Sequence, residues 1–478
     1  MRICIINTGG TITSLGQPLA PMHPSDFADA MRRLVEPAIR ATIPGVTLHV
    51  DDTLRFPGSG NGTLDSSGLV PCDWCRMAAH LLSLHDDYDG FVILHGTDTM
   101  DYSGAALSML LGEWDADGIA VQALSKPVIL TGSQVPIFVD SAEGVVLNAL
   151  SDALGNLAGA IRAATLRIPE VGLFFDGSLL RGNRALKVSS TDFAAFDSPH
   201  LPPLARGGIG IRRMATALPG PATPARALDP ARTLARLDKI ADRIEAQQVV
   251  ILPAIPAGTP VLARMIDDAL ERGATGLIIE AFGEGNLPEG DGSLQRALSR
   301  AAQTGVPVVL TSRAIGGAVG ALHYAAGTWI TATGVIMGGD ITAVSALAKL
   351  TVLQAQGLRG DALATAMRRA LAGECRATDR MTDALHPGQA LQAADCDAEL
   401  VNDPRTGPAL HRGGRVAWQA PGPGTLRLAS GLLVVGHDGQ VLWSGPETHA
   451  GHLALLDARG LVLIDPAGET AGHVLLPC

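Results

Sequence analysis

Residues 2–11 read Arg2-Ile3-Cys4-Ile5-Ile6-Asn7-Thr8-Gly9-Gly10-Thr11, a short unbroken apolar run that ends in a polar turn carrying two glycines. Four apolar residues without alternation suit a strand buried on both faces, the pattern of a parallel sheet. The same order returns three times. Phe91–Leu94 leads into His95-Gly96-Thr97-Asp98-Thr99, Val128–Leu130 into Thr131-Gly132-Ser133-Gln134, and Leu173–Phe175 into Asp176-Gly177-Ser178. Helix-like stretches separate these runs, so residues 1–205 read as an α/β domain built on a parallel sheet. Ligands of such sheets bind beyond the carboxyl ends of the strands, where all four loops fall.

Outward from this domain, a Pro/Ala/Arg-rich stretch from about Pro199 to Arg232 reads as a linker, set here at 206–240. The strand-and-helix rhythm then resumes. Val249–Leu252, Gly276–Glu280 and Pro307–Leu310 are expected strands; Pro260–Glu271, Ser293–Gln303 and Thr342–Gln356 are expected helices, giving a second α/β domain over 241–375. Residues 376–414 show no clear period and read as an irregular connector. From 415 to 478 short apolar runs (Leu426–Leu428, Leu432–Val435, Gln440–Trp443, Leu453–Leu456, Leu461–Ile464) alternate with Gly, Asp and His turns such as His437-Asp438-Gly439 and Asp457-Ala458-Arg459-Gly460. That pattern predicts a small all-β module. The fold class is therefore α/β twice over, followed by an all-β tail.

Bulk properties narrow the function. A length of 478 residues calls for two or three domains, and 47% apolar residues with only 4% aromatics point to cores of Ala, Leu, Val and Ile. A net charge of −11 argues against nucleic acid or an acidic membrane surface as a partner. The N-terminal apolar run is too short for a signal-peptide core, and no segment reaches the roughly 18 apolar residues of a membrane span. Six scattered cysteines do not resemble a disulfide framework, and a reducing, cytoplasmic setting is expected. Cys72-Asp73-Trp74-Cys75 has the spacing of a redox pair or half a zinc site. It lacks a second pair and follows Pro71 at a helix start, so packing is the expected role.

Several polar residues stand where chemistry is possible, and each has a plainer reading. Gly9 and Gly10 permit a sharp turn that exposes Thr11 beside backbone N–H groups, or the turn is only a tight connection. Asp98 or Thr99 could be the N-cap of a helix starting near Met100. Leu64-Asp65-Ser66-Ser67-Gly68 could be an ordinary Ser/Thr turn, and Lys187 a solvated surface lysine. Their convergence on one sheet edge outweighs any one of them.

The chain resembles the bacterial L-asparaginase family, in particular its cytoplasmic type I branch. Matching stretches are Thr8-Gly9-Gly10-Thr11-Ile12, Leu64-Asp65-Ser66-Ser67, His95 through Met100, Val128 through Gln134 and Phe174 through Lys187. The second domain matches at Phe282-Gly283-Glu284-Gly285-Asn286 and from Gly338 through Leu350, so the resemblance covers about residues 1–375. It implies hydrolysis of the L-asparagine side-chain amide through a Thr11 acyl-enzyme, with Thr97, Asp98 and Lys187 moving protons. It also implies Ser66 on the substrate α-carboxylate with Asp65 and Ser67 beside it, Thr97 and Asp98 contacting the substrate, and Asp98 on its α-ammonium. No metal or organic cofactor is implied, and the assembly implied is a homo-dimer or homo-tetramer.

The family usually places a mobile loop after the first motif, in many members with a tyrosine that helps activate the nucleophile. Here that loop, Ser14 to Ser25, has no tyrosine and holds Pro18, Pro21 and Pro24; the chain has only Tyr88, Tyr102 and Tyr324. Gly68 stands where the type I branch commonly has Asn, and Val344 replaces an acid usual after Asp340-Ile341-Thr342. The tail faintly resembles a bulb-type mannose lectin repeat without its sugar-holding polar side chains, and a structural or oligomerisation role is expected of it. Two other readings share the motifs: the amidase subunit of a tRNA-dependent amidotransferase, and a non-catalytic amino-acid sensor.

Overall fold

The computed structural model describes all residues except 117, 119, 215–223, 258–259, 321–327, 379, 382–383, 386–388, 394–397, 404, 413–414, 430–431, 438–439, 446–452, 458–459, 465–469 and 478. Two compact units form, one of residues 1–114, 120–248 and 347–358, the other of 115–119, 249–346 and 359–478.

The first unit is organised by an eight-stranded sheet. Its strands are β1 (Arg2–Asn7), β2 (Thr47–Asp51), β3 (Gly90–Leu94), β4 (Val128–Thr131), β5 (Val171–Phe175), β6 (Ser178–Arg181), β7 (Ala205–Gly207) and β8 (Ile211–Arg213), in the spatial order β8-β7-β6-β5-β4-β3-β1-β2. The five strands from β2 to β5 are parallel, with Ile5 opposite Val50 on one side and Val92 on the other; β6, β7 and β8 run antiparallel. Every residue of β3 and β5 is buried, as continuous apolar runs dictate for strands covered on both faces. One layer of the core joins Ile3, Ile5, Val92, Leu94, Ile129 and Phe174 to Phe27, Leu157 and Ile161 from flanking helices.

The expected linker differs from what forms. Residues 205–213 add β7 and β8 to the sheet edge, and Pro230–Ile244 is a helix. Asp229 caps that helix by accepting the Arg232 N–H at 3.1 Å, and Pro230 opens it. Thr233, Leu237, Ile240 and Ile244 form its buried stripe, so an amphipathic period lay beneath the Pro/Ala/Arg bias. Residues 215–223 of the expected linker lie outside the described residues.

In the second unit, Val249–Pro253, Gly276–Ala281, Val308–Ser312 and Ile336–Met337 build a four-stranded parallel sheet in sequence order. The Val261–Glu271 and Ser293–Gln303 helices bury Leu262, Ile266, Leu294 and Leu298 against Leu277, Ile279 and Leu310.

Among its described residues, the stretch expected to be irregular, 376–414, holds β-strands instead. Ala377–Thr378, Ala390–Gln392, Ala398–Asp403, Gly407–Arg412 and Arg415–Gln419 make one sheet. Arg380–Met381 joins a second sheet with Leu453–Asp457, Gly460–Ile464 and Thr470–Pro477; Ala384–Leu385 joins a third with Thr425–Ala429, Leu432–His437 and Gln440–Ser444. Leu385, Leu400, Leu410, Leu426, Val435, Leu456 and Leu461 share one core with the tilted Trp418–Trp443 pair. The all-β module therefore begins near residue 377 rather than 415. The fully buried Glu374 carboxylate just before it accepts the Leu371 and Ala372 N–H groups, and Asp340 accepts that of Arg376 at 2.6 Å. The turns expected at Asp438-Gly439 and Ala458-Arg459 lie outside the described residues.

Candidate active site

The polar loops at the carboxyl ends of β1 and β3 are laced to one another and to the Leu64–Gly68 loop. Thr8 donates both its N–H (3.0 Å) and its hydroxyl (2.8 Å) to the Leu94 carbonyl. Leu64 N–H donates to the Thr8 carbonyl at 2.8 Å, and Gly10 N–H to the Leu64 carbonyl at 2.9 Å. Thr99 donates its hydroxyl to the Ser66 carbonyl at 2.8 Å. It therefore ties two loops together instead of capping the Met100–Leu110 helix with its side chain.

Glycine is required where the loops touch. Gly10 has φ +81°, and a Cβ there would lie 2.3 Å from Gly96 Cα; a Cβ at Gly96 would lie 2.4 Å from Ser66 Oγ. The Gly9–Gly10 turn thus meets Gly96 and Leu64 backbone to backbone, and Gly96 packs on the Ser66 side chain. The Gly10 carbonyl accepts the Thr13 N–H and the Thr13 and Ser14 hydroxyls at 3.0–3.1 Å, which fixes the single turn Thr11–Thr13. Thr11 is half-buried at the head of that turn, and its hydroxyl has no hydrogen-bond partner among the described residues.

Thr97 and Lys187, ninety positions apart, meet. Lys187 Nζ donates to Thr97 Oγ1 at 2.9 Å and to Asp98 Oδ1 at 2.6 Å. Thr97 is buried, the Asp98 side chain is 61% exposed, and that of Lys187 is 19% exposed, so a chain of polar groups runs from the interior to the open face. Ser66 is buried against Gly96, whereas Asp65 and Ser67 are exposed; Asp65 Oδ1 accepts the Ser67 N–H at 3.1 Å and closes the turn.

Two residues near this cluster were missed by the sequence reading. His95 is fully buried, with Nδ1 2.7 Å from the Gly96 carbonyl and Nε2 2.9 Å from Ser103 Oγ; burial drives its imidazole down to about 4, so it is neutral. Asp101 is buried in the first turn of the Met100–Leu110 helix and accepts the backbone N–H of Lys187 at 3.1 Å. Neither role has a local signal: His95 sits in an apolar-to-polar junction, and Asp101 looks like any acidic residue at a helix start.

The loop after the first motif forms a short hairpin, Ser14–Leu15 paired with Ala20–Pro21. Asn61, from the Gly-rich segment, donates Nδ2 to the Pro21 carbonyl at 2.6 Å. Tyr88 is stacked on His49 and under Arg2, at the strand-start edge of the sheet, opposite the polar loops. Cys72 and Cys75 are free thiols in the Pro71–Ser83 helix, raised by burial to about 11 and 12, as suits packing; Glu245 adds to the shift at Cys72. Cys396 and Cys478 lie outside the described residues. Among the described residues no helix is long and apolar enough to cross a membrane.

Comparison with known proteins agrees with this architecture. Residues 2–216 match the family model "Asparaginase, N-terminal", and residues 248–367 match "Glutaminase/Asparaginase C-terminal domain". L-asparaginase 1 of Escherichia coli (strain K12) is 34% identical over 378 residues, spanning 79% of this chain and 98% of that protein. The 60 kDa lysophospholipase of Homo sapiens is 36% identical over 394 residues, spanning 78% of this chain and 61% of that protein. The structure of L-asparaginase I from Vibrio cholerae superposes with a TM-score of 0.62 at 31% identity, covering 78% of this chain and 98% of that one. Both domain models matched in order, and a bacterial relative matched almost end to end, show that the chain belongs to the asparaginase family.

Proposed function

We propose that this protein hydrolyses the side-chain amide of L-asparagine to L-aspartate and ammonia, with Thr11 as nucleophile. The observation that carries the reading is the Lys187 ammonium held between Thr97 Oγ1 and Asp98 Oδ1, on a loop in backbone contact with the Thr11 loop. A threonine hydroxyl is a weak nucleophile without a neighbouring proton acceptor. Thr97 Oγ1 already accepts from Lys187, which leaves its own proton free to move, so Thr97 and Lys187 form a relay that Asp98 orients.

In the first step Thr11 Oγ bonds to the amide carbon and the carbonyl electrons move to oxygen, steadied by backbone N–H groups of the two loops. Collapse breaks the C–N bond, and the Thr11 proton leaves with the nitrogen as ammonia. Water then adds to the acyl ester carbon, its proton passing through Thr97 to Thr11 Oγ as the C–O bond to Thr11 breaks, which releases aspartate and restores the threonine. With no tyrosine in the lid, the relay serves both proton transfers. Ser66 holds the substrate α-carboxylate, Asp65 and Ser67 shape its surroundings, and Asp98 pairs with the α-ammonium. The same reading has the enzyme working as a cytoplasmic homo-oligomer.

Ammonia release from L-asparagine by the full chain, beside Thr11→Ala and Lys187→Met, tests the reading. Each substitution is expected to cost at least about a thousandfold in kcat. Aspartate binding without turnover would replace it with a sensor, and release only with a partner and charged tRNA would replace it with an amidotransferase subunit.

A further inference from the structure

We infer that Asp101 is a positioning residue that clamps the backbone of Lys187 so that Nζ reaches Thr97 and Asp98. The inference rests on the proposed role of Lys187 and goes beyond it. Lys187 lies on a two-residue strand, Leu186–Lys187, paired among the described residues only with Phe196–Asp197, and residues 188–194 beside it are largely exposed. A strand that short does not hold a side chain in register by itself. Besides that pairing, the bonds to Lys187 come from one segment. Thr97 and Asp98 grip Nζ, and Asp101, three residues on, takes the backbone N–H at 3.1 Å.

The two oxygens of Asp101 have separate partners. Oδ1 accepts the Tyr102 N–H at 3.0 Å, which serves the helix start; Oδ2 is left for Lys187. A residue needed only to begin the helix would not send its second oxygen across to a strand 86 positions away. Burial outweighs the N–H groups of Lys187 and Tyr102 and holds the Asp101 carboxyl above the usual carboxylate range, while those two N–H groups, the contacts that define the clamp, favour its charged form. The positive end of the helix adds to that stabilisation.

Losing the clamp frees Lys187 to move by an ångström or so, a displacement worth about a hundredfold in rate. Asp101→Ala is therefore expected to lower kcat about 10–100-fold with KM within about twofold. Asp101→Asn keeps one acceptor oxygen for the Lys187 N–H and is expected to retain activity within about fivefold. The deciding measurement is a double-mutant cycle by ammonia release, corrected for folded fraction. If Asp101 acts through Lys187, adding Asp101→Ala to Lys187→Met slows the enzyme no further. A parent-like kcat for Asp101→Ala, or full additivity with Lys187→Met, overturns the inference. A parent-like Lys187→Met instead overturns the proposed function beneath it. Should Asp101→Ala fail to fold, Asp101→Ser, too short to span to Lys187, replaces it in the same cycle.

Discussion

Replacing Gly10 with alanine tests the claim that loop contact sets the geometry of the site. At φ +81° an alanine is strained by about 1–2 kcal/mol. Its Cβ would lie 2.3 Å from Gly96 Cα and 2.4 Å from Gly96 N, where ordinary contact begins near 3.4 Å. The loops must part by about 1 Å, the difference between 3.4 and 2.3 Å, because both facing atoms are backbone. Overpacking of this kind costs about 1–3 kcal/mol, which brings the total to about 2–5 kcal/mol. Against a domain stability of about 5–15 kcal/mol that loss leaves a measurable folded fraction, and kcat is corrected for it. Activity suffers more, since an ångström between nucleophile and relay costs about a hundredfold. Urea unfolding and ammonia release are measured together, with Gly155→Ala as a control. Gly155 is in the Ala153–Ala164 helix with open space at its Cβ position, and alanine there is expected to stabilise by about 0.5–1 kcal/mol. If Gly10→Ala keeps the parent's urea midpoint and a kcat within threefold, the loops are not held by this contact.

Three further outcomes follow from buried or bridging groups. Because His95 titrates at about 4 when folded and near 6.5 when unfolded, its contribution is intact above pH 6.5 and falls by about 3 kcal/mol as the pH drops to 4; His95→Gln should flatten that limb of a urea-midpoint profile, and an unchanged slope refutes its burial as neutral imidazole. Asp51 is disfavoured as a charge by burial, yet hydrogen bonds from His80 and Thr53 win and hold it below the usual carboxylate range, so the stabilisation it gives is present above about pH 4 and fades as the pH falls through the lower folded value. His80→Leu should thus cost about 1–3 kcal/mol at neutral pH and less in acid, and a pH-independent loss would contradict this. Asn61→Ala removes the bond to the Pro21 carbonyl, worth about 0.5–1.5 kcal/mol; limited proteolysis should cut Ser14–Pro21 faster, and an unaltered cleavage rate would show that the hairpin needs no latch.

What could be read from the sequence follows from the range of the forces involved. The strands at Val92, Leu173, Leu252 and Ile278 were legible because continuous apolar runs report burial locally. The 376–414 strands were not: several are two or three residues long, and two of them, Arg380–Met381 and Ala384–Leu385, pair with strands far along the chain. The helix Pro230–Ile244 was hidden by composition, although its apolar spacing was present. Thr11, Thr97 and Ser66 stood out through the family motifs in which they sit, since each residue alone had a plainer reading as part of a turn or cap. Lys187 looked like a surface lysine until its chain position was joined to Thr97 by the fold. Asp101 has no local mark, since its partner is a backbone N–H supplied by tertiary structure.

The β module also dictates an order of events during synthesis. Arg380–Met381, among its first strands, pairs with Leu453–Asp457, and Ala384–Leu385 pairs with Thr425–Ala429. Residues 380–381 and 384–385 therefore leave the ribosome well ahead of their hydrogen-bonding partners, and the last sheet closes only when Thr470–Pro477 pairs with Gly460–Ile464. Contacts so distant in sequence close slowly. Any chain ending short of residue 453 would carry an unpaired 380–381 edge, open to pairing with another chain.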